Sequence, residues 1–257
     1  MSEKSVLVQT LEMLKKVGAR PSASMKEREF LSFLRDTLQA FGMAVEWDDF
    51  PAPSTYTWAH LFLWIGLAQA GLLVRIVPLW SVISSLVFLF IEYWELATFP
   101  ILSSHFCFHR SANLIGKHGH APAFVLMAHV DSARPSLFFH PRFVTNPRLS
   151  LLLLVYSSLF ITGSSVMVVL WHSRVFFWIA LFPSLYLLFL AVGHVHREFW
   201  MKPSPGGNDN GSGVAVVLEL ARVLRDRKVP FWVVFTGAEE SGTWGALRFL
   251  KKYGSIL

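Results

Sequence analysis

Two long apolar blocks interrupt an otherwise polar chain, and they constrain its fold more than any other feature. The first block contains the candidate membrane spans Trp58–Val74 and Ile76–Ile91, and the second contains Leu149–Trp171 and Val175–Gly193. Because a hydrocarbon core about 30 Å thick requires roughly 20 apolar residues per helix, the third span is long enough, the fourth is barely so, and the first two are somewhat short. Four such segments in 257 residues favour two transmembrane hairpins over buried helices of a soluble core.

The composition agrees with a membrane protein. Hydrophobic residues make up 53% of the chain and charged residues 16%, whereas soluble domains carry about 25% charged residues. The net charge of +6 comes from scattered Lys and Arg, many of which flank the apolar runs, so it favours a membrane topology and excludes a nucleic-acid partner. The single cysteine, Cys107, excludes an internal disulfide and a cysteine-rich zinc site.

Each hairpin returns the chain to the side from which it entered the membrane. The chain therefore divides into polar segments 1–56, 97–148 and 194–257, separated by hairpins 57–96 and 149–193. Basic residues near the membrane ends on the polar side are Arg110, Lys117, Arg134, Arg142, Arg148, Arg197 and Lys202, against Arg75 and Arg174 on the opposite side. The positive-inside rule predicts an integral, multi-pass protein whose polar domain faces the cytoplasm.

The polar segments show an α/β pattern. Strands are predicted at Met43–Phe50, Ser111–Gly116, Ala123–Ala128 and Pro230–Thr236, and helices are predicted in residues 1–42, at Ser212–Arg225 and at Thr243–Tyr253. Strand–helix–strand order with polar residues beyond the strand ends is typical of a doubly wound sheet, whose sites lie outside those ends.

His129 and Asp131 directly follow one of these apolar strands. Residues i and i+2 of an extended segment share a face, so the Asp131 carboxylate can hold the second ring nitrogen of His129, as carboxylates do for zinc-bound histidines. Taken alone, this pair is more typical of a structural histidine than of a metal ligand.

Two acidic motifs occupy predicted turns. Asp209 lies in a run of Gly, Asn and Ser before a helix, where it is either an N-cap or a carboxylate that bridges two cations. Glu239 and Glu240 follow another apolar strand. They are either a solvated pair of loop residues or a metal ligand next to a general base.

Together, the order and setting of these motifs resemble the co-catalytic di-zinc aminopeptidase family, whose relatives include glutaminyl cyclases, glutamate carboxypeptidases and the transferrin receptor. Phe124–Ser132 resembles the family's first-ligand strand, Gly207–Gly213 its bridging-aspartate loop, and Phe235–Gly242 its catalytic-glutamate segment. The resemblance implies a doubly wound, zinc-exopeptidase-like α/β sheet with two inserted transmembrane helical hairpins.

The resemblance also implies a role for each motif residue. His129 binds the first zinc and Asp131 orients its ring. Asp209 bridges two Zn²⁺ ions, Glu240 binds the second, and Glu239 is the general base. The implied reaction is the hydrolysis of a peptide bond, releasing an N-terminal residue. Two alternatives remain open. The chain is either an inactive membrane scaffold that keeps the fold without metal, or a glutaminyl-cyclase-like acyltransferase that uses one zinc.

Two departures from the family pattern stand out. The family requires a later aspartate and a later histidine, but Thr243–Leu257 contains no Asp, Glu or His, so each zinc would have two protein ligands and the sheet would be incomplete at the C-terminus. We therefore expect the front portion of a longer protein or a truncated product. His194 and His196 are conceivable substitutes, although an interfacial position at the end of a span is favoured. The second departure is the hairpin between the first ligand and Asp209, which predicts a hydrophobic or membrane-associated peptide substrate.

Overall fold

The computed structural model describes residues 5–137, 147–227 and 229–256. The chain divides into two compact units. The first, here called the polar unit, comprises Met1–Tyr56, Ser104–Arg134 and Lys202–Leu257. The second, the helical unit, comprises Thr57–Ser103 and Pro135–Met201.

The described residues form the following regular elements. The α-helices are α1 (Val6–Val17), α2 (Met25–Ala40), α3 (Thr57–Leu73), α4 (Pro78–Leu96), α5 (Pro147–Trp171), α6 (Arg174–Trp200), α7 (Gly213–Leu224) and α8 (Trp244–Tyr253). The strands are β1 (Ala44–Ala52), β2 (His109–His118), β3 (Phe124–His129) and β4 (Phe231–Thr236).

The polar unit is built on one mixed sheet with the strand order β1-β2-β4-β3. Strands β1 and β2 are antiparallel, as are β2 and β4, whereas β3 and β4 are parallel. The predicted α/β architecture is therefore present, but the sheet is mixed, with only its β3–β4 pair parallel among the described strands. The register pairs His129 with Thr236, so β3 and β4 end side by side.

Strand β4 lies at the centre of the unit, and all six of its residues are buried. Because side chains of a strand alternate between the two faces of a sheet, Phe231, Val233 and Phe235 enter one apolar core while Trp232 and Val234 enter another. Helices α1, α2 and α7 cover the first face, with residues such as Leu14, Phe30, Leu34 and Leu218. Helix α8 covers the second face through Phe249 and Tyr253. A helix layer on each face explains why the first five residues of β4 are apolar.

The helical unit consists of α3 to α6. Within the described part of the chain, α4, α5 and α6 have the length and apolar composition needed to cross a membrane, while α3, with 17 residues, is shorter. Helix α3 approaches its neighbours closely, since a Cβ atom added at Gly71 would lie 2.1 Å from Ser184 Oγ on α6. Such close approach at small residues is how helices associate in lipid.

Candidate metal centre

Three side chains from separate segments of the polar unit converge at the ends of β3 and β4. One ligand atom each from His129, Asp209 and Glu240 lies within 4.8 Å of the others. His129 is the last residue of β3, Glu240 follows β4, and Asp209 belongs to the loop before α7. The parallel pairing of β3 with β4 accounts for the first two, because it places their carboxyl ends at the same edge of the sheet.

His129 is held between acidic groups on both of its ring nitrogens. Its Nδ1 lies 3.5 Å from Asp131 Oδ1, and its Nε2 lies 3.2 Å from Asp209 Oδ1 and 3.9 Å from Glu239 Oε2. Burial lowers the pKa of His129, but the hydrogen bond and charge of Asp131, together with the charges of the nearby glutamates, outweigh it and raise the pKa to about 9. The imidazole therefore lies in a strongly cation-favouring environment.

Asp131 connects the two strand ends. Its carboxylate is fully buried and accepts hydrogen bonds from the backbone N–H groups of Glu239 (3.1 Å) and Glu240 (2.9 Å) and from Ser22 Oγ (2.6 Å). The same carboxylate that faces His129 thus also fixes the backbone of both glutamates. The distance between the histidine and the glutamates is set by one side chain.

Glu239 and Glu240 have different surroundings although they are adjacent. The Glu239 side chain is 34% exposed, whereas Oε1 of Glu240 is buried and, among the described residues, has no hydrogen-bond donor. Burial raises the pKa of both carboxyl groups, and the charge of Asp131 adds to the shift, which brings Glu240 to about 7. A buried carboxylate oxygen without a donor, next to other acids, is costly unless a cation is bound.

The donor set fits zinc. An imidazole nitrogen and carboxylate oxygens are ligands that zinc takes in proteins, and the unsatisfied Glu240 oxygen lies in the cluster itself. Asp131 provides the carboxylate behind the histidine that zinc-bound imidazoles usually have. The residues present therefore match what such an ion requires of its surroundings.

The loop that carries Asp209 is shaped by glycine. Gly206 has a φ of +58°, and a Cβ atom there would lie 2.5 Å from Ser132 Cβ and 2.9 Å from the carbonyl oxygen of Asp209. The loop therefore packs directly against the residues that follow β3. It presents a largely exposed Asp209 side chain towards Nε2 of His129.

Three buried residues that support the site were not predicted from the sequence. Arg20, Ser22 and Glu27 lie in the segment that joins α1 to α2 and begins α2. Glu27 accepts a hydrogen bond from the backbone N–H of Ala238 (2.8 Å), and burial together with the charge of Asp131 raises its pKa. Ser24 caps α2 and is followed three residues later by Glu27, which is the spacing of a capping box and was a readable signal.

His194 and His196 are not part of this cluster. Both belong to α6 of the helical unit, and His194 is buried there, with its ring 6.5 Å from that of His60 and 4.6 Å from that of Trp64. Among the described residues, the group that could hold a metal ion consists of His129, Asp209 and Glu240.

Part of this chain resembles known peptidases. Residues 188–255 match Peptidase family M28. A stretch of 51 residues is 47% identical to aminopeptidase YwaD of Bacillus subtilis (strain 168), which is 18% of this chain and 11% of that protein. The predicted family resemblance is confirmed. Asp209, Glu239 and Glu240 all lie within the M28 match, whereas His129 precedes it.

Solved structures similar to this chain include aminopeptidases and glutaminyl cyclases. A leucine aminopeptidase precursor from Bacteroides thetaiotaomicron is 14% identical, with 93% of this chain and 48% of that chain covered and a TM-score of 0.43. A glutaminyl cyclase from Fimbriiglobus ruber is 13% identical, with 99% and 58% covered and a TM-score of 0.46. The chain thus spans about half the length of these solved relatives.

Proposed function

We propose that this chain is a membrane-embedded, zinc-dependent metallopeptidase that removes residues from the N-terminus of peptides. The observation that carries the proposal is the convergence of ligand atoms from His129, Asp209 and Glu240 within 4.8 Å, with Glu239 beside them. The match of residues 188–255 to Peptidase family M28 supports the reaction class.

In this proposal His129 and Asp209 would hold one zinc ion, and Asp209 and Glu240 would hold a second. When bound, zinc polarises the scissile carbonyl and favours deprotonation of the attacking water.

Glu239 acts as the general base. Its carboxylate is partly exposed and lies 3.9 Å from Nε2 of His129, so it borders the metal cluster without being buried in it. Burial, the largest influence on this carboxyl, raises its pKa above the ordinary value, which improves its ability to accept a proton and to return it to the leaving amine. Glu240, whose free oxygen lies in the cluster, is the better ligand.

Asp131 acts as a positioning residue. It faces Nδ1 of His129 and accepts hydrogen bonds from the backbone N–H groups of Glu239 and Glu240. By favouring a proton on Nδ1, it leaves the lone pair of Nε2 available to a metal.

We further propose that the substrate is a hydrophobic or membrane-associated peptide and that the polar unit faces the cytoplasm. In the sequence, α5 and α6 are inserted between His129 and Asp209, and both have the length and composition of membrane spans. A soluble peptidase gains nothing from such an insertion, whereas an enzyme whose substrate lies at a bilayer does.

The decisive experiment uses the full chain purified in lipid nanodiscs. Zinc per chain is measured first, and hydrolysis of aminoacyl-anilides is then compared between the wild type and Glu239→Gln. We expect bound zinc in both proteins and hydrolysis only in the wild type. Zinc without hydrolysis in the wild type would instead indicate a scaffold, and an equal rate in Glu239→Gln would refute the general-base role.

A glutaminyl-cyclase-like activity is the second candidate, because the three ligand atoms lie within 4.8 Å of one another and could therefore share one ion. Cyclisation of peptides with N-terminal glutamine, at one zinc per chain, would favour it over the peptidase.

A further inference from the structure

Resting on the proposed metal centre, we propose that Arg20, Ser22 and Glu27 form a clamp that positions all three loops of the site, with Arg20 fixing the Asp209 loop against the strand of His129. These residues touch neither the ligand atoms nor a substrate, and so act through the loops alone. We use "clamp" for these three residues below.

Arg20 binds backbone carbonyls of two different loops. Its side chain donates from Nε to the Val130 carbonyl (2.9 Å), just after His129, and from its terminal nitrogens to the carbonyls of Pro205 (2.9 Å) and Gly206 (3.1 Å), just before Asp209. A further bond reaches the Gly18 carbonyl (2.7 Å). The guanidinium is planar and presents its donors in a fixed fork, so these bonds determine the relative position of the two loops.

The backbone of Arg20 strengthens the same connection. Its N–H donates to Ser132 Oγ (2.9 Å), and its carbonyl accepts from the N–H of Ser132 (2.9 Å). Ser132 Oγ in turn donates to the carbonyl of Ser204 (2.9 Å). Side chain and backbone of one residue therefore join the segment after β3 to the segment before Asp209.

Arg20 is completely buried, and removing its charge from water costs free energy. Burying a guanidinium is unfavourable unless its donors are satisfied, and here backbone carbonyls satisfy them instead of a paired carboxylate. Arg20 therefore makes these hydrogen bonds only when both loops have their folded backbone conformation. A lysine carries the same charge but lacks the planar guanidinium, so it could form only some of these hydrogen bonds.

Ser22 and Glu27 extend the clamp to the third loop. Ser22 Oγ donates to Asp131 (2.6 Å), whose carboxylate holds the N–H groups of Glu239 and Glu240. Glu27 accepts from the N–H of Ala238 (2.8 Å), directly before the two glutamates. The segment before α2 and the first turn of α2 therefore reach every loop that supplies a proposed ligand.

This arrangement matters because the three ligands come from loops that are distant in sequence. A metal site requires its ligands to be held within about 0.5 Å of the productive geometry by the residues around them. Loss of residues that orient ligands typically costs about 10- to 100-fold in metal affinity.

The test is cobalt binding by the full chain in nanodiscs. Co²⁺ replaces zinc, and its visible absorption bands report ligand geometry. We compare the wild type with Arg20→Lys, Ser22→Ala and the control Arg197→Lys, which alters a buried arginine of the helical unit that donates to Thr57. We expect Arg20→Lys to bind Co²⁺ about 10- to 100-fold more weakly with shifted bands, Ser22→Ala to change the same way to a smaller extent, and Arg197→Lys to match the wild type.

Hydrogen exchange separates the clamp from the metal proposal. In metal-free protein, Arg20→Lys should speed exchange in residues 130–132 and 204–212 while β4 stays protected. Wild-type affinity, bands and exchange in a folded Arg20→Lys protein would overturn the clamp. If the wild type binds no Co²⁺ but the variant still shows faster loop exchange, the clamp stands and the metal proposal fails. If Arg20→Lys does not fold, Ser22→Ala provides the test. Unchanged hydrogen exchange in residues 237–241 of Ser22→Ala would then overturn the clamp.

Discussion

The adjacent carboxylates of Glu239 and Glu240 differ in burial and in hydrogen bonding. Oε1 of Glu240 is buried in the cluster with His129 and Asp209, while Glu239 is partly exposed at its border. Both share one backbone anchor, because Asp131 accepts a hydrogen bond from each N–H. Substitutions at the two positions should therefore separate metal binding from proton transfer.

We expect Glu239→Gln to retain zinc and to lose hydrolysis by about 10²- to 10⁴-fold, the usual contribution of a general base. Glu240→Gln should instead lower zinc affinity, since it removes the charged oxygen that faces the cluster. Zinc content after dialysis and anilide kinetics at saturating zinc measure the two effects. Equal zinc loss in both variants would contradict the separation of roles.

Gly206 and Gly207 offer a matched pair in the Asp209 loop. Gly206→Ala requires a left-handed φ of +58° and places Cβ 2.5 Å from Ser132 Cβ, whereas a Cβ at Gly207 meets nothing within 4 Å. The left-handed conformation alone costs about 1–2 kcal/mol for a residue with Cβ. We expect Gly206→Ala to lower zinc affinity and Tm and Gly207→Ala to leave both near wild type, as measured by titration and thermal melting. Similar losses in both variants would show that the loop tolerates no substitution at all, for reasons other than packing.

At the residue scale, local pattern predicts the proposed ligands but not the residues of the proposed clamp. His129, Asp209 and Glu240 follow apolar strands or open a helix, and such positions are recognisable from local pattern. Arg20 and Ser22 act through backbone carbonyls and a carboxylate more than 100 positions away, for which no local spacing exists.

At the scale of elements, all four predicted strands are present, with ends that differ by a few residues. Period-two alternation and apolar runs reveal a strand because they depend on its own side chains. The pairing order is different: the position of β2 between β1 and β4, antiparallel to both, is decided by long-range contacts. Helix α7 spans Gly213–Leu224, within one residue of the predicted Ser212–Arg225 at each end.

Helix α8 is attached to the antiparallel strands β1 and β2 by an ion cluster that should respond to acid. Glu46 of β1 accepts hydrogen bonds from Lys117 (2.6 Å), Lys252 (2.7 Å) and Tyr253. Burial raises the pKa of Glu46, but these partners outweigh it and lower the pKa to about 2. Because the folded-state pKa lies below the ordinary value of 4.5, the stabilisation is complete above pH 4.5 and is lost as the pH falls towards 2.

We therefore predict that Lys252→Met makes the protein unfold at higher pH in an acid titration followed by tryptophan fluorescence. The shift should be modest, since these side chains are about one-third exposed and solvent screens them. Lys251→Met, which alters the exposed neighbouring lysine, is the control and should unfold like the wild type. An identical acid midpoint for both variants and the wild type would show that the cluster contributes nothing.

At the scale of the whole molecule, hydropathy predicts where the apolar helices lie but not where they end. The fourth span is predicted to stop at Gly193, yet α6 continues to Trp200. Its final turns stay helical because polar residues there find partners within the helical unit. Arg197 donates to Thr57 (2.8 Å), and the ring of His194 contacts that of Trp64. Backbone hydrogen bonds sustain a helix whatever its side chains, so its length follows from packing as well as from hydrophobicity.

The proposed topology places the α3–α4 turn and the polar unit on opposite sides of the membrane. In a Cys107→Ser background, which removes the single native cysteine, Ile76→Cys places a thiol at an exposed turn between α3 and α4, and Ser255→Cys places one at an exposed position after α8. If α3 and α4 cross the membrane and the polar unit is cytoplasmic, a membrane-impermeant maleimide applied to intact cells should label the first variant and not the second.

Permeabilised cells provide the control, since both thiols should then react. The reverse pattern in intact cells would invert the topology while preserving the two hairpins. Labelling of neither thiol before permeabilisation would mean that the α3–α4 turn does not reach the outer face. In that case the short α3, with 17 residues, is the element that fails to span the bilayer, because roughly 20 apolar residues are required.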